Sequence, residues 1–286
     1  MTSARPERAA AVIGDPVRHS RSPAIHNAAF AASGIDWVFT AFEVPAGGGE
    51  AALEAMRVLQ LAGLSVTMPL KAEVADAADT CDDEVEVLGA ANCVVPMDDG
   101  RLRAANTDAA GFVSALRADA GLEPEGLRVA LLGAGGAARA VAWGLAAAGS
   151  AQVAVINRTP SKAQAAADIA NAAGRAGQPG RVGRVGSTDD IAAADVVVNA
   201  TSVGMGADAA SMPCDPSLLR PGQIAVDLVY EPLETAWLAA LRRRGVAAHN
   251  GLSMLAYQAA AAFELWTGVE APVEVMRQAA VAGRAR

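Results

Sequence analysis

The chain has 286 residues, of which 52% are hydrophobic, 19% charged and only 4% aromatic. This length favours two domains that share a cleft, and this composition argues against disorder over most of the chain. A formal net charge of -8 argues against nucleic acid and anionic membrane as partners, because both require clustered Lys and Arg.

Cysteine spacing and hydropathy favour a reduced, cytoplasmic protein. Cys81, Cys93 and Cys214 are odd in number and widely spaced, with neither a CxxC pair nor a Cys/His cluster, so no metal site is predicted. Residues 1–10 carry charges but lack the apolar core of a secretory signal. The sequence has no stretch of 18 apolar residues, so no membrane span is predicted.

Strand and helix patterns alternate through the first part of the chain. Strands are predicted at residues 9–13, 37–44 and 64–67, and helices at 23–33, 50–60 and directly after Pro69. Such alternation predicts a mostly parallel sheet covered by helices.

A second α/β unit is predicted to begin at Leu127. Its strands fall at residues 128–132 and 152–157 and its helices at 137–148 and 161–173, followed by apolar runs at 194–200 and 223–229. The glycine-rich residues 173–186 are interpreted as a loop around a short strand. A strong helix over 253–266 is predicted to end at Gly268.

A glycine-rich turn lies where the first strand of this second unit meets its helix. The turn reads Gly133-Ala134-Gly135-Gly136-Ala137-Ala138, which fits the GxGxxG/A fingerprint of dinucleotide-binding folds. Gly133 permits the tight turn, Gly135 lets the backbone approach a pyrophosphate, and the helix N-terminus offers free amides to the phosphates. The strand–turn–helix context favours a dinucleotide site over a merely flexible turn.

The residues after the next strand indicate which dinucleotide is bound. An NAD enzyme usually places an acidic residue there, whereas this chain has Asn157-Arg158-Thr159, followed by Lys162. A guanidinium can pair with a 2'-phosphate and stack on adenine. The predicted cofactor is therefore NADP, with a plain surface arginine as the alternative interpretation of Arg158.

A dehydrogenase that reduces a ketone needs a proton donor beside the oxygen that receives the charge. Lys71 is the leading candidate, since it follows a predicted strand, and Asp108 could hold it in place. A lone lysine is otherwise most often a solvated surface residue. His26 is interpreted as packing at a helix–strand junction rather than acting chemically.

Several ordered motifs over roughly residues 11–268 resemble the shikimate dehydrogenase family. The N-terminal motifs are His19-Ser20-Arg21-Ser22-Pro23, Val66-Thr67-Met68-Pro69-Leu70-Lys71, Gly89-Ala90-Ala91-Asn92 and Asn106-Thr107-Asp108. The later motifs are the glycine-rich turn, Asn157-Arg158-Thr159, Asn199-Ala200-Thr201-Ser202, Asp227-Leu228-Val229-Tyr230, Asn250-Gly251-Leu252 and Gln258.

The resemblance implies an NADP-dependent interconversion of 3-dehydroshikimate and shikimate, with Lys71 and Asp108 as the catalytic pair. Substrate would be bound by Ser20, Ser22, Thr67, Lys71, Asn92, Asp108, Tyr230 and Gln258. NADP would be bound by Asp83, Gly133, Ala134, Gly135, Gly136, Ala137, Asn157, Arg158, Thr159, Lys162, Leu228 and Gly251.

The resemblance also implies a two-domain α/β fold. An N-terminal α/β substrate-binding domain, residues 1–108, would be joined by the C-terminal helices of 252–286. A Rossmann-like NADP-binding domain would span 109–251. The predicted partner is a small-molecule substrate, without nucleic acid or membrane, and the chain is expected to be a monomer or homodimer.

One departure from the family bears on the substrate. The family commonly has Asn where this chain has Ser65, and a hydroxyl cannot present both an amide donor and a carbonyl acceptor. Either a water fills the gap or the substrate preference has shifted, and a quinate/shikimate or aminoshikimate dehydrogenase is the nearest alternative. A non-catalytic NADP-binding regulator is a further alternative, although the intact Lys71 and Asp108 argue against it.

Overall fold

The structure, a computed structural model, describes residues 6–174 and 181–283. The chain divides into two compact units. The first contains the residues up to Thr107 together with those from Leu255 onward, and the second is Asp108–Met254. Both units are α/β, as the alternating patterns predict.

The first unit is built on a six-stranded sheet with the order β2-β1-β3-β5-β6-β4. Its strands are β1 (Arg8–Gly14), β2 (Trp37–Glu43), β3 (Gly63–Val66), β4 (Thr80–Cys81), β5 (Cys93–Pro96) and β6 (Leu102–Ala105), and its first helices are α1 (Ser22–Ala32), α2 (Gly49–Leu59), α3 (Lys71–Ala77) and α4 (Asp83–Leu88). The predicted strands and helices of this region are confirmed. The sheet is nonetheless mixed, since β5 runs antiparallel to both neighbours.

The second unit is a doubly wound, fully parallel sheet with the order β12-β11-β10-β7-β8-β9. Its strands are β7 (Arg128–Leu132), β8 (Gln152–Ile156), β9 (Gly183–Val185), β10 (Val196–Asn199), β11 (Ile224–Asp227) and β12 (Ala247–Asn250). Its helices are α5 (Asp108–Ala120), α6 (Gly136–Ala147), α7 (Pro160–Ala173), α8 (Thr188–Ala193) and α9 (Ala236–Arg243). This strand order is that of dinucleotide-binding folds, and ligands bind such sheets where the order reverses, here at β7 and β10.

Strand β7 shows why this sheet is covered on both faces. Val129 and Leu131 pack in one core cluster with the buried side chains of α6 and α7. Ala130 and Leu132 point the other way and pack in a second cluster with Trp237 of α9. An apolar run buried on both faces is typical of a parallel strand between two helical layers.

The loop predicted over residues 173–186 contains the short strand β9, as expected, and residues 175–180 lie outside the described residues.

The C-terminal helices are α10 (Leu252–Thr267) and α11 (Val273–Ala282). The indole Nε1 of Trp266, near the end of α10, donates a 3.0 Å hydrogen bond to the carbonyl of Val94 on β5. Gly63 of β3 lies under the same indole, where a Cβ would come within 2.3 Å of the ring. These contacts fix α10 against the first sheet.

Within the described residues, no helix combines the length and hydrophobicity that a membrane crossing requires.

Candidate active site

The topology of the first sheet gathers the predicted substrate residues at one edge. Strands β1 and β3 are parallel, so their carboxyl ends lie at the same edge. Because β5 is antiparallel to β3 and to β6, its amino end and the carboxyl end of β6 also lie there. The segments that follow or precede these four strand ends carry most of the predicted substrate residues, namely Ser20, Ser22, Thr67, Lys71 and Asn92.

Asn92 is the centre of a hydrogen-bonded cluster at this edge. Its Nδ2 donates to Thr107 Oγ1 at 3.0 Å and to Gln258 Oε1 at 3.3 Å, and its Oδ1 accepts from the Thr107 amide at 2.7 Å. The Gln258 amide nitrogen donates in turn to the carbonyl of Leu255 at 3.0 Å. Asn92 and Thr107 are buried. A polar amide from the C-terminal helix α10 is thereby held beside the strand ends of the first unit.

Lys71 and Thr67 lie on the segment that leaves β3. The Thr67 amide donates to the Ile13 carbonyl at 2.9 Å, so this segment is tied to the end of β1. The carbonyl of Lys71 accepts a 2.9 Å bond from the Ala91 amide, which places the lysine backbone next to Asn92. The side chain of Lys71 is half-buried. The sequence has only two lysines, Lys71 and Lys162, and both stand at predicted site positions.

Ser20 and Ser22 flank the start of α1. The Ser20 amide donates to the Val17 carbonyl at 2.9 Å, and the Ser22 amide donates to Ser20 Oγ at 3.3 Å. Ser22 is buried, and Ser20 is half-buried. The two hydroxyls are therefore presented on a turn whose backbone is already hydrogen-bonded. Ser65, the departure from the family pattern, is also buried, within β3.

The glycine-rich turn of the second unit lies at the point where the strand order reverses. Gly133 has φ +109°, and a Cβ there would lie 2.9 Å from the Ala200 carbonyl, so only glycine fits this approach of the loops after β7 and β10. Gly135 and Gly136 are exposed, and a Cβ at either would have open space around it. Helix α6 begins at Gly136. Its free N-terminal amides and this open backbone suit a pyrophosphate.

The segment after β8 lies beside the glycine-rich turn, because the Gly133 amide donates to the Ile156 carbonyl at 2.9 Å. Asn157 Nδ2 donates to the Thr159 carbonyl at 3.1 Å, and Thr159 immediately precedes α7. The side chains of Arg158 and Lys162 are exposed. Two cations at a helix N-terminus are available to an anion at this edge.

Leu228 and Gly251 follow the neighbouring strands β11 and β12. The Leu228 amide donates to the Asn199 carbonyl at 2.9 Å, and the Gly251 amide donates to the Val229 carbonyl at 3.3 Å. A Cβ on Gly251 would come within 2.1 Å of the Leu228 carbonyl, so glycine is required there. Tyr230, two residues beyond Leu228, is half-buried.

Asp108 and Asp83 complete the predicted set. Asp108 is the first residue of α5, is 7% exposed and belongs to the second unit, whereas Lys71 belongs to the first. Asp83 is exposed and is the first residue of α4, in the first unit, whereas the other predicted cofactor residues belong to the second unit. Among residues 6–174 and 181–283, no group of three or more His, Cys, Asp or Glu side chains could hold a metal ion.

The sequence interpretation gave no role to three buried polar side chains. Thr107 joins the Asn92 cluster, and its place beside Asp108 in a quoted motif was the available signal. Asn199 and Asp227 are fully buried at the ends of β10 and β11, and they also stand in motifs that carry the family resemblance.

The doubly wound sheet, the glycine-rich turn at its reversal and the cationic segment after β8 define an α/β protein of the dinucleotide-binding class. The model described as "Shikimate dehydrogenase substrate binding domain" matches residues 12–94, "Shikimate / quinate 5-dehydrogenase" matches 118–205, and "Shikimate 5'-dehydrogenase C-terminal domain" matches 251–281. The chain is 47% identical over 267 residues to the NADP-dependent shikimate dehydrogenase of Moorella thermoacetica, covering 93% of this chain and 90% of that protein. It therefore belongs to the shikimate dehydrogenase family.

Solved structures agree with this assignment. Shikimate 5-dehydrogenase from Thermus thermophilus, in complex with NADP(H) and shikimate, has a TM-score of 0.87 at 36% identity, over 96% of this chain and 99% of that one. Quinate dehydrogenase from Corynebacterium glutamicum, in complex with NAD, has a TM-score of 0.86 at 34% identity, over 96% and 99%. The chain is thus an NADP-dependent oxidoreductase that acts on a CH–OH group, and the predicted fold class, family and cofactor are confirmed.

Proposed function

We propose that this chain reduces 3-dehydroshikimate to shikimate with NADPH, reversibly, as a step toward chorismate and the aromatic amino acids. The observation that carries the proposal is the gathering of Thr67, Lys71, Asn92 and Gln258 at one edge of the first sheet, in a chain of this family. A lysine, a hydroxyl and two amides at the same sheet edge suit a small, polyhydroxylated substrate.

The proposed substrate contacts divide by chemistry. Ser20 and Ser22 donate to the carboxylate, which does not react. Ring hydroxyls are bound by side chains that can both donate and accept or that accept strongly, namely Thr67, Asn92, Asp108, Tyr230 and Gln258. The Asn92 cluster supports this part, because Asn92 and Gln258 already hold each other in place before substrate arrives.

Lys71 and Asp108 are proposed as the catalytic pair. Charge develops on the reacting oxygen only as the reaction proceeds, so an ammonium beside it contributes more in the transition state than in the ground state. Lys71 would donate the proton to that oxygen in reduction and accept it in oxidation. Asp108 would orient the lysine.

NADP is proposed to lie along the carboxyl edge of the second sheet, where it supplies or accepts the hydride. The spatial order of the strands supports this assignment, since β8, β7, β10, β11 and β12 are successive neighbours. Asn157, Arg158, Thr159 and Lys162 would bind the 2'-phosphate end, and Gly133, Ala134, Gly135, Gly136 and Ala137 the pyrophosphate. Leu228 and Gly251 would contact the nicotinamide end through backbone groups. Asp83 remains the least supported contact, because it lies outside this group.

The proposed domains are a substrate-binding domain of residues 1–108 with 252–286 and an NADP-binding domain of 109–251. The protein is proposed to act in the cytoplasm, as a monomer or homodimer, without nucleic acid. The net charge of -8 supports the exclusion of nucleic acid, and the wide spacing of the cysteines supports a reduced compartment.

Quinate or aminoshikimate is the competing substrate. The structural similarity to a quinate dehydrogenase and the buried Ser65 are the reasons to test these two substrates. Quinate carries an extra hydroxyl at C1, and serines at 20 and 22, rather than a bulkier threonine, favour shikimate. The exposed Arg158 favours NADP over NAD.

A turnover assay with shikimate, quinate and aminoshikimate, each with NADP and with NAD, separates these functions. We expect shikimate with NADP to give the highest kcat/KM. Higher kcat/KM with quinate would reassign the substrate. Absence of turnover in all six combinations, with NADP still bound, would indicate the non-catalytic regulator.

A further inference from the structure

Arg21 stands between the two serines proposed to bind the substrate carboxylate, yet its side chain makes a distant contact. Its Nη1 donates a 2.6 Å hydrogen bond to the carbonyl of Ala280, 259 residues away in sequence. The residue is 4% exposed. A guanidinium so deeply buried is costly unless it is hydrogen-bonded, so this contact specifies where the side chain lies.

The acceptor lies at the C-terminal end of α11. Ala280 is in the last turn of this helix, where carbonyls lack partners within the helix and carry partial negative charge. Helix α11 is seated firmly, because Met276 and Ala280 are fully buried and a Cβ on Gly283 would lie 3.1 Å from Ala24 of α1. Arg21 therefore binds a fixed anchor.

The backbone of Arg21 connects this anchor to the serines. Its carbonyl accepts a 3.1 Å hydrogen bond from the Ile25 amide, which forms the first turn of α1. Its neighbours Ser20 and Ser22 are linked to each other by the 3.3 Å bond from the Ser22 amide to Ser20 Oγ. The side chain of Arg21 is thus bonded to α11 and its backbone to α1. These two bonds restrict the turn that carries Ser20 and Ser22.

We propose that Arg21 is a positioning residue for the carboxylate site, through which the last helix of the chain fixes the turn that carries Ser20 and Ser22. This proposal rests on the proposed function, in which those hydroxyls bind the substrate carboxylate. Arg21 itself does not contact substrate in this account. Its loss should weaken recognition of the carboxylate and leave the chemical step and NADP binding unchanged.

The test is steady-state oxidation of shikimate and of shikimate methyl ester by four full-length variants. Arg21→Met keeps the length but removes the charge and the donors, Arg21→Lys keeps the charge, and Ser22→Ala removes one proposed contact directly. Arg277→Met is the matched control, since Arg277 lies on the same helix and pairs with Glu274. The KM for NADP and the far-ultraviolet circular dichroism spectrum report whether each variant is folded.

We expect Arg21→Met to raise the KM for shikimate about fivefold to tenfold, with kcat and the KM for NADP within about twofold. The preference for shikimate over its uncharged ester should fall by a similar factor. Arg21→Lys should restore most of that preference, and Arg277→Met should match the unaltered enzyme. If Arg21→Met does not fold, Arg21→Gln takes its place, with the same expectation.

Two results would overturn the proposal. An Arg21→Met enzyme with unaltered KM and preference, while Ser22→Ala is impaired, would refute the role of Arg21 but leave the carboxylate assignment standing. Equal impairment with acid and ester would show a general loss of structure rather than a positioning role. If Ser22→Ala also leaves the KM and the preference unchanged, the carboxylate is bound elsewhere, and the proposed function fails at this motif.

Discussion

Asn199 donates a 2.8 Å hydrogen bond from Nδ2 to Oδ1 of Asp227, and neither residue has any exposed surface. The same carboxylate accepts from Thr235 Oγ1 at 2.7 Å and from the Val229 amide at 3.1 Å. Burial raises the pKa of Asp227 against these hydrogen bonds, which lower it. The pair joins the carboxyl ends of β10 and β11, directly before the segment that carries Leu228 and Tyr230.

The first prediction is that Asp227→Ala lowers the free energy of unfolding by about 3 kcal/mol, because three buried donors lose their acceptor. Asp227→Asn should cost less than half as much, since its amide can donate to Thr235 Oγ1. Urea denaturation measures both changes. The exposed Asp189→Asn is the control and should leave the midpoint unchanged. An Ala variant as stable as the unaltered protein would refute the structural role of the pair.

His26 provides the second prediction, which concerns stability in acid. Its ring stacks on Phe39 with centroids 4.3 Å apart, and neither ring nitrogen has a hydrogen-bond partner. Burial lowers the pKa of His26 from 6.5 to about 3. His26 therefore binds a proton below about pH 6.5 in the unfolded chain but only below about pH 3 in the folded chain. Acid consequently favours unfolding between these two pH values.

This titration should remove up to roughly 5 kcal/mol of stability between those two pH values. Urea denaturation of His26→Phe at a series of pH values should show a flatter decline, because phenylalanine cannot bind a proton. His19→Gln, at an exposed position, should retain the slope of the unaltered protein. A His26→Phe variant with the original slope would assign the acid sensitivity to other groups.

The third prediction concerns the cofactor. Arg158→Ala should raise the KM for NADP roughly tenfold or more, as expected for the loss of a charge-assisted bond to phosphate worth about 1.5–3 kcal/mol. The KM for NAD should change little. Arg128→Ala is a matched control, because Arg128 is exposed at the opposite, amino end of β7. Equal loss with both cofactors would mean that Arg158 stacks on adenine or supports the segment after β8 rather than binding the 2'-phosphate.

Much of the fold could be predicted from local patterns. The strand predicted over 128–132 coincides with β7, and the glycine of the predicted tight turn has a positive φ. The close approach of Ala200 to Gly133 could not be predicted, because it depends on how the loops after β7 and β10 pack. Strand β5 was not predicted, because four residues ending in proline carry too little pattern to reveal an antiparallel pairing.

The site was predicted largely through the resemblance, since its contacts are distant in sequence. Asn92 and Gln258 are 166 residues apart, and Arg21 and Ala280 are 259 apart. No spacing rule connects such pairs, because the turns between them determine which side chains meet. The contact that supports the proposed role of Arg21 is visible only once α11 is placed against α1.

Lys71 is proposed to transfer the proton in the oxidation of shikimate, and two substitutions of this lysine test that role. Lys71→Met keeps the length of the side chain but cannot carry a proton, and Lys71→Ala removes the side chain altogether. We expect kcat for shikimate oxidation with NADP to fall by roughly 10² to 10⁴ in both, with the KM for shikimate within a few fold. Near-normal kcat together with a greatly raised KM would contradict the claim, because Lys71 would then bind substrate without moving the proton.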